Sequence, residues 1–237
     1  MIPGTINQKM AQFTRIEAVL KMTETGMVPV FYHSDPAVCK EVIKACYKGG
    51  SKVFEFTNRG DFAHEVFAEL SKWAFTECPG LMLGAGSVPD AGTASLYMQM
   101  GACFIVSPFL NPDVAKVCNR RKVLWIPGCG TLSEISAAEE LGAEIVKIFP
   151  GTAVGGPGFV KAVKGPCPWI SIMPTGGVEP TEENLKQWFG AGVVCVGMGS
   201  ALITDSLVKN KAWKKLTEGV KKTIDIIKKL RTKTAGK

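Results

Sequence analysis

Short apolar runs, most of them closed by Gly, Pro, Ser or Thr, recur along the chain at Val28–Tyr32, Lys52–Thr57, Leu81–Gly86, Cys103–Pro108, Val123–Pro127, Glu144–Pro150, Trp169–Pro174 and Val193–Gly197. Between them the pattern becomes helical over Pro36–Tyr47, Phe62–Trp73, Ala91–Met100, Pro112–Arg120, Ser133–Leu141 and Glu182–Phe189, with a weaker stretch at Gly158–Lys164. Brief apolar runs bounded by turn residues predict buried strands, and apolar positions spaced three and four apart predict amphipathic helices. Ser34-Asp35-Pro36, Asn111-Pro112 and Thr131-Leu132-Ser133-Glu134 supply helix starts: a side chain that accepts from free backbone N–H groups, a proline whose fixed φ suits the first turn, or early acidic residues. Successive strands lie roughly 20–30 residues apart, the length that one crossover helix requires.

Eight strands in strict alternation with helices predict an α/β fold of the (β/α)8 TIM-barrel kind: one domain over residues 1–237, with the core barrel at about 28–201. The competing doubly wound sheet usually carries a Gly-rich turn after its first strand, whereas this strand runs into Phe31-Tyr32-His33-Ser34. An extra N-terminal helix is expected over Ile6–Met22, with Phe13, Ile16, Val19 and Leu20 on one side to close the barrel bottom. A terminal helix is expected over about 209–231, with Trp213, Leu216, Val220, Ile224 and Ile227 as its apolar stripe.

Charge changes the picture only locally. The net charge of +7 comes from 28 Lys+Arg against 21 Asp+Glu. Residues Lys209–Lys237 alone carry eleven Lys/Arg against Glu218 and Asp225, which leaves the first 208 residues slightly acidic, at −2. Lysines around a docked apolar stripe form a solvated face, and no interleaved aromatics suggest base stacking. Neither nucleic acid nor a membrane is expected as a partner. The eight cysteines are scattered, without a CxxC pair or a histidine cluster, and are expected as reduced core thiols of a cytoplasmic protein. No run approaches the ~20 apolar residues of a membrane span, and Met1–Lys9 lacks the apolar stretch of a signal peptide.

Polar residues that interrupt the apolar runs carry the candidate chemistry, because barrels collect function at the C-terminal ends of their strands. In Val53-Phe54-Glu55-Phe56-Thr57, two-residue alternation sets Glu55 with Val53 and Thr57, opposite the phenylalanines. In Ile145-Val146-Lys147-Ile148-Phe149, Lys147 shares a face with Ile145 and Phe149. With the phenylalanines packed outward, Glu55 and Lys147 both point into the barrel. A buried Lys–Glu pair is a poor stabiliser, since desolvation cancels much of the Coulomb gain. Desolvation also favours the neutral amine that attacks a carbonyl, and a neighbouring carboxyl can then shuttle protons. The pair therefore points to Schiff-base chemistry.

Pro174-Thr175-Gly176-Gly177 and Gly197-Met198-Gly199-Ser200-Ala201 follow the last two strands, where barrels commonly bind phosphate through backbone N–H groups. Arg59 either clamps a carboxylate or phosphate, or is an ordinary exposed loop arginine. Ser87 and Pro108 end strands at the same face. His33 and His64 are isolated, no spaced acidic or histidine set suggests a metal site, and no cofactor is called for.

In order along the chain, Val28-Pro29-Val30, Phe54-Glu55-Phe56-Thr57-Asn58-Arg59, Gly84-Ala85-Gly86-Ser87-Val88, Ile105-Val106-Ser107-Pro108, Ile126-Pro127-Gly128, Val146-Lys147-Ile148-Phe149-Pro150, Met173-Pro174-Thr175-Gly176-Gly177-Val178 and Val196-Gly197-Met198-Gly199-Ser200 resemble the 2-dehydro-3-deoxy-6-phosphogluconate (KDPG) / 4-hydroxy-2-oxoglutarate (KHG) aldolases, the class I pyruvate aldolases of the Entner–Doudoroff route. The resemblance implies a metal-independent homotrimeric lyase acting on a phosphorylated keto acid and releasing pyruvate, with Lys147 as the Schiff-base residue and Glu55 as general acid/base. It implies that Arg59 and Ser87 receive the pyruvyl carboxylate region, that Pro108 shapes the pocket, that Thr175 faces substrate, and that Gly176, Gly177, Gly199 and Ser200 hold phosphate. The galactonate epimer and unphosphorylated KHG are the alternative substrates. Three features depart from the family pattern: Ser87 stands where threonine is usual, Met198 interrupts the usual Gly-Gly before Ser200, and the basic terminal helix is longer.

Overall fold

The computed structural model describes residues 12–234. Its elements in chain order are α1 (Arg15–Thr25), β1 (Met27–Phe31), α2 (Pro36–Lys48), β2 (Val53–Thr57), α3 (Ala63–Glu77), β3 (Met82–Gly86), α4 (Ala91–Gln99), β4 (Phe104–Val106), α5 (Pro112–Arg121), β5 (Leu124–Ile126), β6 (Gly128–Cys129), α6 (Leu132–Glu140), β7 (Val146–Ile148), α7 (Gly156–Lys164), β8 (Ile172–Pro174), α8 (Glu182–Gly190), β9 (Val196–Met198), α9 (Asp205–Lys209) and α10 (Trp213–Thr234). The cap signals operate as expected. Asp35 accepts from the Ala37 N–H, Asn111 from the Asp113 N–H, and Thr131 forms a reciprocal capping box with Glu134.

All strand pairs are parallel. Six strands form a curled sheet in the order β5-β4-β3-β2-β1-β9, and three form a second sheet in the order β6-β7-β8. The expected fifth strand is divided because Pro127, between β5 and β6, has no N–H to give to a ladder. Its carbonyl still accepts from the Lys147 N–H at 2.8 Å. At the other seam the Val194 N–H donates to the Ile172 carbonyl at 3.0 Å, and Thr175 bridges Gly197.

Both faces of the strands are buried, as parallel sheets covered by crossover helices require. Phe54, Phe56, Leu83, Ile105, Val146 and Ile148 pack outward with the helices in the larger apolar cluster. Val28, Val53, Met82, Phe104, Leu124 and Ile145 form a separate inner cluster. Alternation thus separates the faces as the sequence pattern requires, and Glu55 and Lys147 share the inner parity.

The N-terminal helix differs from expectation. It starts at Arg15, after the Thr14–Glu17 capping box, and runs past Met22 to Thr25, where Gly26 ends it at φ 73°. Residues 6–11 of the expected helix lie outside the described region. Its expected apolar side is met in part: Phe13 and Val19 pack against the inner cluster, which Ala18 and Met22 enter, whereas Ile16 and Leu20 are 70% and 63% exposed. The C-terminal helix α10 is docked by the expected stripe, with Leu216, Val220, Ile224 and Ile227 buried and its paired lysines exposed. Near its end Arg231 donates to the carbonyls of Thr23 and Val194 and lies 5.1 Å from the Phe189 ring centre, tying α10 to α1, to the segment that leads into β9 and to α8.

Candidate active site

Lys147 occupies the middle of β7, paired with Gly128 on one side and Met173 on the other, and is 6% exposed. Its Nζ lies 4.7 Å from the centre of the Phe149 ring, two residues on and on the same face. Glu55 occupies the middle of β2, between Val30 and Gly84, and is fully buried. Neither of its carboxyl oxygens has a hydrogen-bond partner among the described residues. A buried carboxyl without donors disfavours its charged form. Burial accordingly pushes Glu55 above the ordinary glutamate value, outweighing the downward pull of the Lys147 and Arg59 charges.

Glycine is required beside this carboxyl. A Cβ at Gly86, in the neighbouring strand, would stand 1.9 Å from Glu55 Oε1. A similar close approach occurs at Gly197, where a Cβ would stand 2.3 Å from Thr175 Oγ1. That hydroxyl is also buried and without a partner among the described residues.

A cavity of about 380 Å³ opens at the C-terminal ends of the strands and brings together Arg59, Thr175, Gly176, Gly177, Gly199 and Ser200. Gly176 and Gly177 adopt φ of 90° and 76°, which frees their loop to curve around the cavity mouth. Lys147 and Glu55 do not line this space. Phe149 forms the wall on the Lys147 side, while Glu55 lies deeper, against Gly86. Ser87 and Pro108, both half-buried, also stand outside it, at the ends of β3 and β4. Lys147 and Glu55 are thus buried on the inner face, Arg59, Thr175, Gly176, Gly177, Gly199 and Ser200 line a wider chamber at the strand ends, and Ser87 and Pro108 stand outside that chamber.

The chamber has further walls that the sequence did not single out: Tyr32, Thr57, Phe149, Ile203 and Asp205. Thr57 has the parity of Glu55 and lies at a strand end, so alternation sufficed to place it. Tyr32 directly follows β1, where an aromatic residue closing an apolar run carries no local mark of a site. Asp205 opens the short α9, an element without a detectable pattern; among the described residues it is the sole acidic one lining the cavity, as Arg59 is the sole cationic one.

Comparison with known proteins gives this geometry a context. A family model described as KDPG and KHG aldolase matches residues 16–219. A 2-dehydro-3-deoxy-phosphogluconate aldolase of Pseudoalteromonas atlantica is 33% identical over 198 residues, covering 84% of this chain and 89% of its own length. One from Haemophilus influenzae is 30% identical over 216 residues, covering 91% and 99%. Among solved structures, the KDPG aldolase of Legionella pneumophila with pyruvate captured as a covalent carbinolamine intermediate is similar at a TM-score of 0.77 and 26% identity, covering 85% of this chain and 95% of that one. A match across nearly all of the described region, joined to a relative at 33% identity, establishes that the chain belongs to the KDPG and KHG aldolase family.

Proposed function

We propose that this protein is a class I aldolase that splits 2-dehydro-3-deoxy-6-phosphogluconate into pyruvate and glyceraldehyde 3-phosphate through a Schiff base on Lys147. The observation that carries this reading is the coexistence, on one inner face, of a buried lysine and a buried carboxyl whose oxygens have no partner among the described residues. An arrangement so unfavourable to stability is suited to covalent proton-transfer chemistry. The carbinolamine trapped in the Legionella pneumophila relative is the first covalent species on the same route.

The steps balance as follows. The neutral Lys147 amine adds to C2 of the keto acid. Protonated Glu55 gives its proton to the departing hydroxyl, water leaves, and an iminium remains. The Glu55 carboxylate takes the C4 hydroxyl proton while the C3–C4 bond breaks, its electron pair flowing to the iminium nitrogen and the aldehyde leaving. Glu55 then protonates C3 of the enamine and finally takes a proton from the water that hydrolyses the iminium, which releases pyruvate and restores both residues. Because burial raises Glu55, the protonated form needed for dehydration is accessible.

Arg59 clamps the keto-acid carboxylate at the rim with its planar fork. Ser87 and Pro108 shape the β3–β4 side, Thr175 faces the substrate, and Gly176, Gly177, Gly199 and Ser200 receive the phosphate. KHG, yielding pyruvate and glyoxylate, is a second substrate, and the galactonate epimer of the phosphorylated substrate is the alternative. We read the two parallel sheets as one closed (β/α)8 wall, supported by the contacts at Pro127 and at Thr175–Gly197, and the chain as one domain. The family resemblance supports a homotrimer. Exposed Phe109, in the loop after β4, and exposed Leu132, which opens α6, offer apolar surface for contact between copies. A cytoplasmic place in the Entner–Doudoroff route fits the eight free cysteines.

The test is pyruvate release by the purified protein from the phosphorylated gluconate and galactonate substrates and from KHG, with Lys147→Ala as comparison. The native chain should prefer the phosphorylated gluconate substrate and the variant should be inactive. Cleavage that survives Lys147→Ala and is lost to a chelator would overturn the reading in favour of a metal-dependent enzyme.

A further inference from the structure

Arg59, the cavity's only cationic side chain among the described residues, stands on the short connection between β2 and α3, and the groups that hold this connection have no part in the chemistry above. The connection is strained at its far end, where Phe62 adopts φ 61° and is 68% exposed. Two tyrosines hold the connection on either side of Arg59. The fully buried Tyr97 of α4 donates its hydroxyl to Asn58 Oδ1 at 2.8 Å, one residue before Arg59. The hydroxyl of Tyr32 lies against Gly60, one residue after it, 3.1 Å from where a Cβ would stand.

The two tyrosines belong to one packed aromatic series. Tyr32 meets Phe56 edge-on at 5.6 Å, Phe56 meets Phe67 at 5.9 Å, and Phe67 meets Tyr97 edge-on at 5.0 Å. The backbone is pinned between them: the Asn58 N–H donates to the Gly86 carbonyl at 2.8 Å and the Arg59 N–H to the Thr57 carbonyl at 2.9 Å. Asn58 thereby ties the Arg59 connection to the Gly86 backbone, whose missing side chain makes room for Glu55.

We propose that Tyr97, through its hydrogen bond to Asn58, is a positioning residue that holds Arg59 at the cavity rim to receive the keto-acid carboxylate. The inference rests on the reading of Arg59 as the carboxylate clamp. Tyr97 touches no substrate; its hydroxyl serves binding by reducing the freedom of the segment that carries the guanidinium, an ordering cost otherwise paid on binding.

The experiment is a double-mutant cycle on the full-length protein, with the phosphorylated gluconate substrate as probe and KM, kcat and thermal midpoint measured together. Tyr97→Phe should raise KM about three- to tenfold, the range one neutral hydrogen bond supports, with kcat within about twofold. Asn58→Ala, which removes the acceptor from the half-buried side and leaves the Tyr97 hydroxyl unpaired, should give the same split. In an Arg59→Ala background, Tyr97→Phe should add nothing further to KM. Tyr47→Phe, which removes a comparable hydroxyl bond to the Pro79 carbonyl, should leave KM unchanged. An unchanged KM in both Tyr97→Phe and Asn58→Ala would overturn the inference, as would an equal KM increase with or without Arg59. An unchanged KM in Arg59→Ala itself would overturn the clamp reading first, and this inference with it.

Discussion

Replacing Gly86 with alanine perturbs the centre through a single methyl group. The added Cβ would stand 1.9 Å from Glu55 Oε1, 2.6 Å from its carboxyl carbon and 2.8 Å from Cγ, so three atoms of one side chain are affected together. To regain ordinary van der Waals separation the carboxyl oxygen must retreat by about 1.5 Å inside a site where the side chain is fully buried. Overpacking of this kind costs about 1–3 kcal/mol, and at about 2–4 °C per kcal/mol for a chain of this size the midpoint should fall by roughly 2–12 °C. The catalytic effect should be larger than the stability effect suggests, because misplacing a reacting group by about 1 Å can cost on the order of 100-fold. The expected outcome is a kcat reduced about 100-fold in a folded protein, read by coupled pyruvate release with circular dichroism as the check on folding. A variant with a lowered midpoint but native kcat would refute the argument, since it would show that turnover does not depend on where Glu55 is held.

Further predictions follow from the same geometry. Glu55→Gln should lower kcat by about 100- to 10,000-fold, the usual range for a lost acid–base group. The raised Glu55 carboxyl binds its proton more tightly folded than unfolded, so its contribution to stability is present below the ordinary value of 4.5 and is lost as pH rises through the folded value. Glu55→Gln should therefore flatten the fall in midpoint above pH 4.5, and an unaltered pH profile would count against the burial argument. Asp205→Asn, which removes an acidic side chain from the cavity lining, should lower KM for phosphorylated substrate about two- to fivefold at low salt and leave KHG unaffected; equal effects on both substrates would place Asp205 away from the phosphate. Arg231→Ala should destabilise by about 1–3 kcal/mol, since the carbonyls of Thr23 and Val194 lose their donor, with KM unchanged. A KM change at native stability would contradict that purely architectural role.

The alternation of Val53-Phe54-Glu55-Phe56-Thr57 was enough to point Glu55 inward, because a strand buried on both faces still sorts its side chains by parity. The caps at Asp35, Asn111 and Thr131 were equally legible, since each depends on contacts within one turn. What escaped depended on distant partners. Ile16 and Leu20 are as apolar as a buried helix face should be, yet the space beneath the strands takes Ala18 and Met22 with Phe13 and Val19 beside them, and leaves those two exposed. The Tyr97–Asn58 bond joins residues 39 positions apart, and nothing local to either predicts it. The chamber residues Tyr32 and Asp205 meet the candidate set only because the chain ends of neighbouring strands β1 and β9 converge.

The central claim is that Lys147 forms the covalent bond to the keto acid. Incubating the native protein with pyruvate and borohydride, followed by peptide mass mapping, tests it directly. The account predicts irreversible inactivation, with the mass of a reduced pyruvyl group on Lys147 and none in Lys147→Ala. Turnover that continues under these conditions, or an adduct on a different lysine, would contradict it.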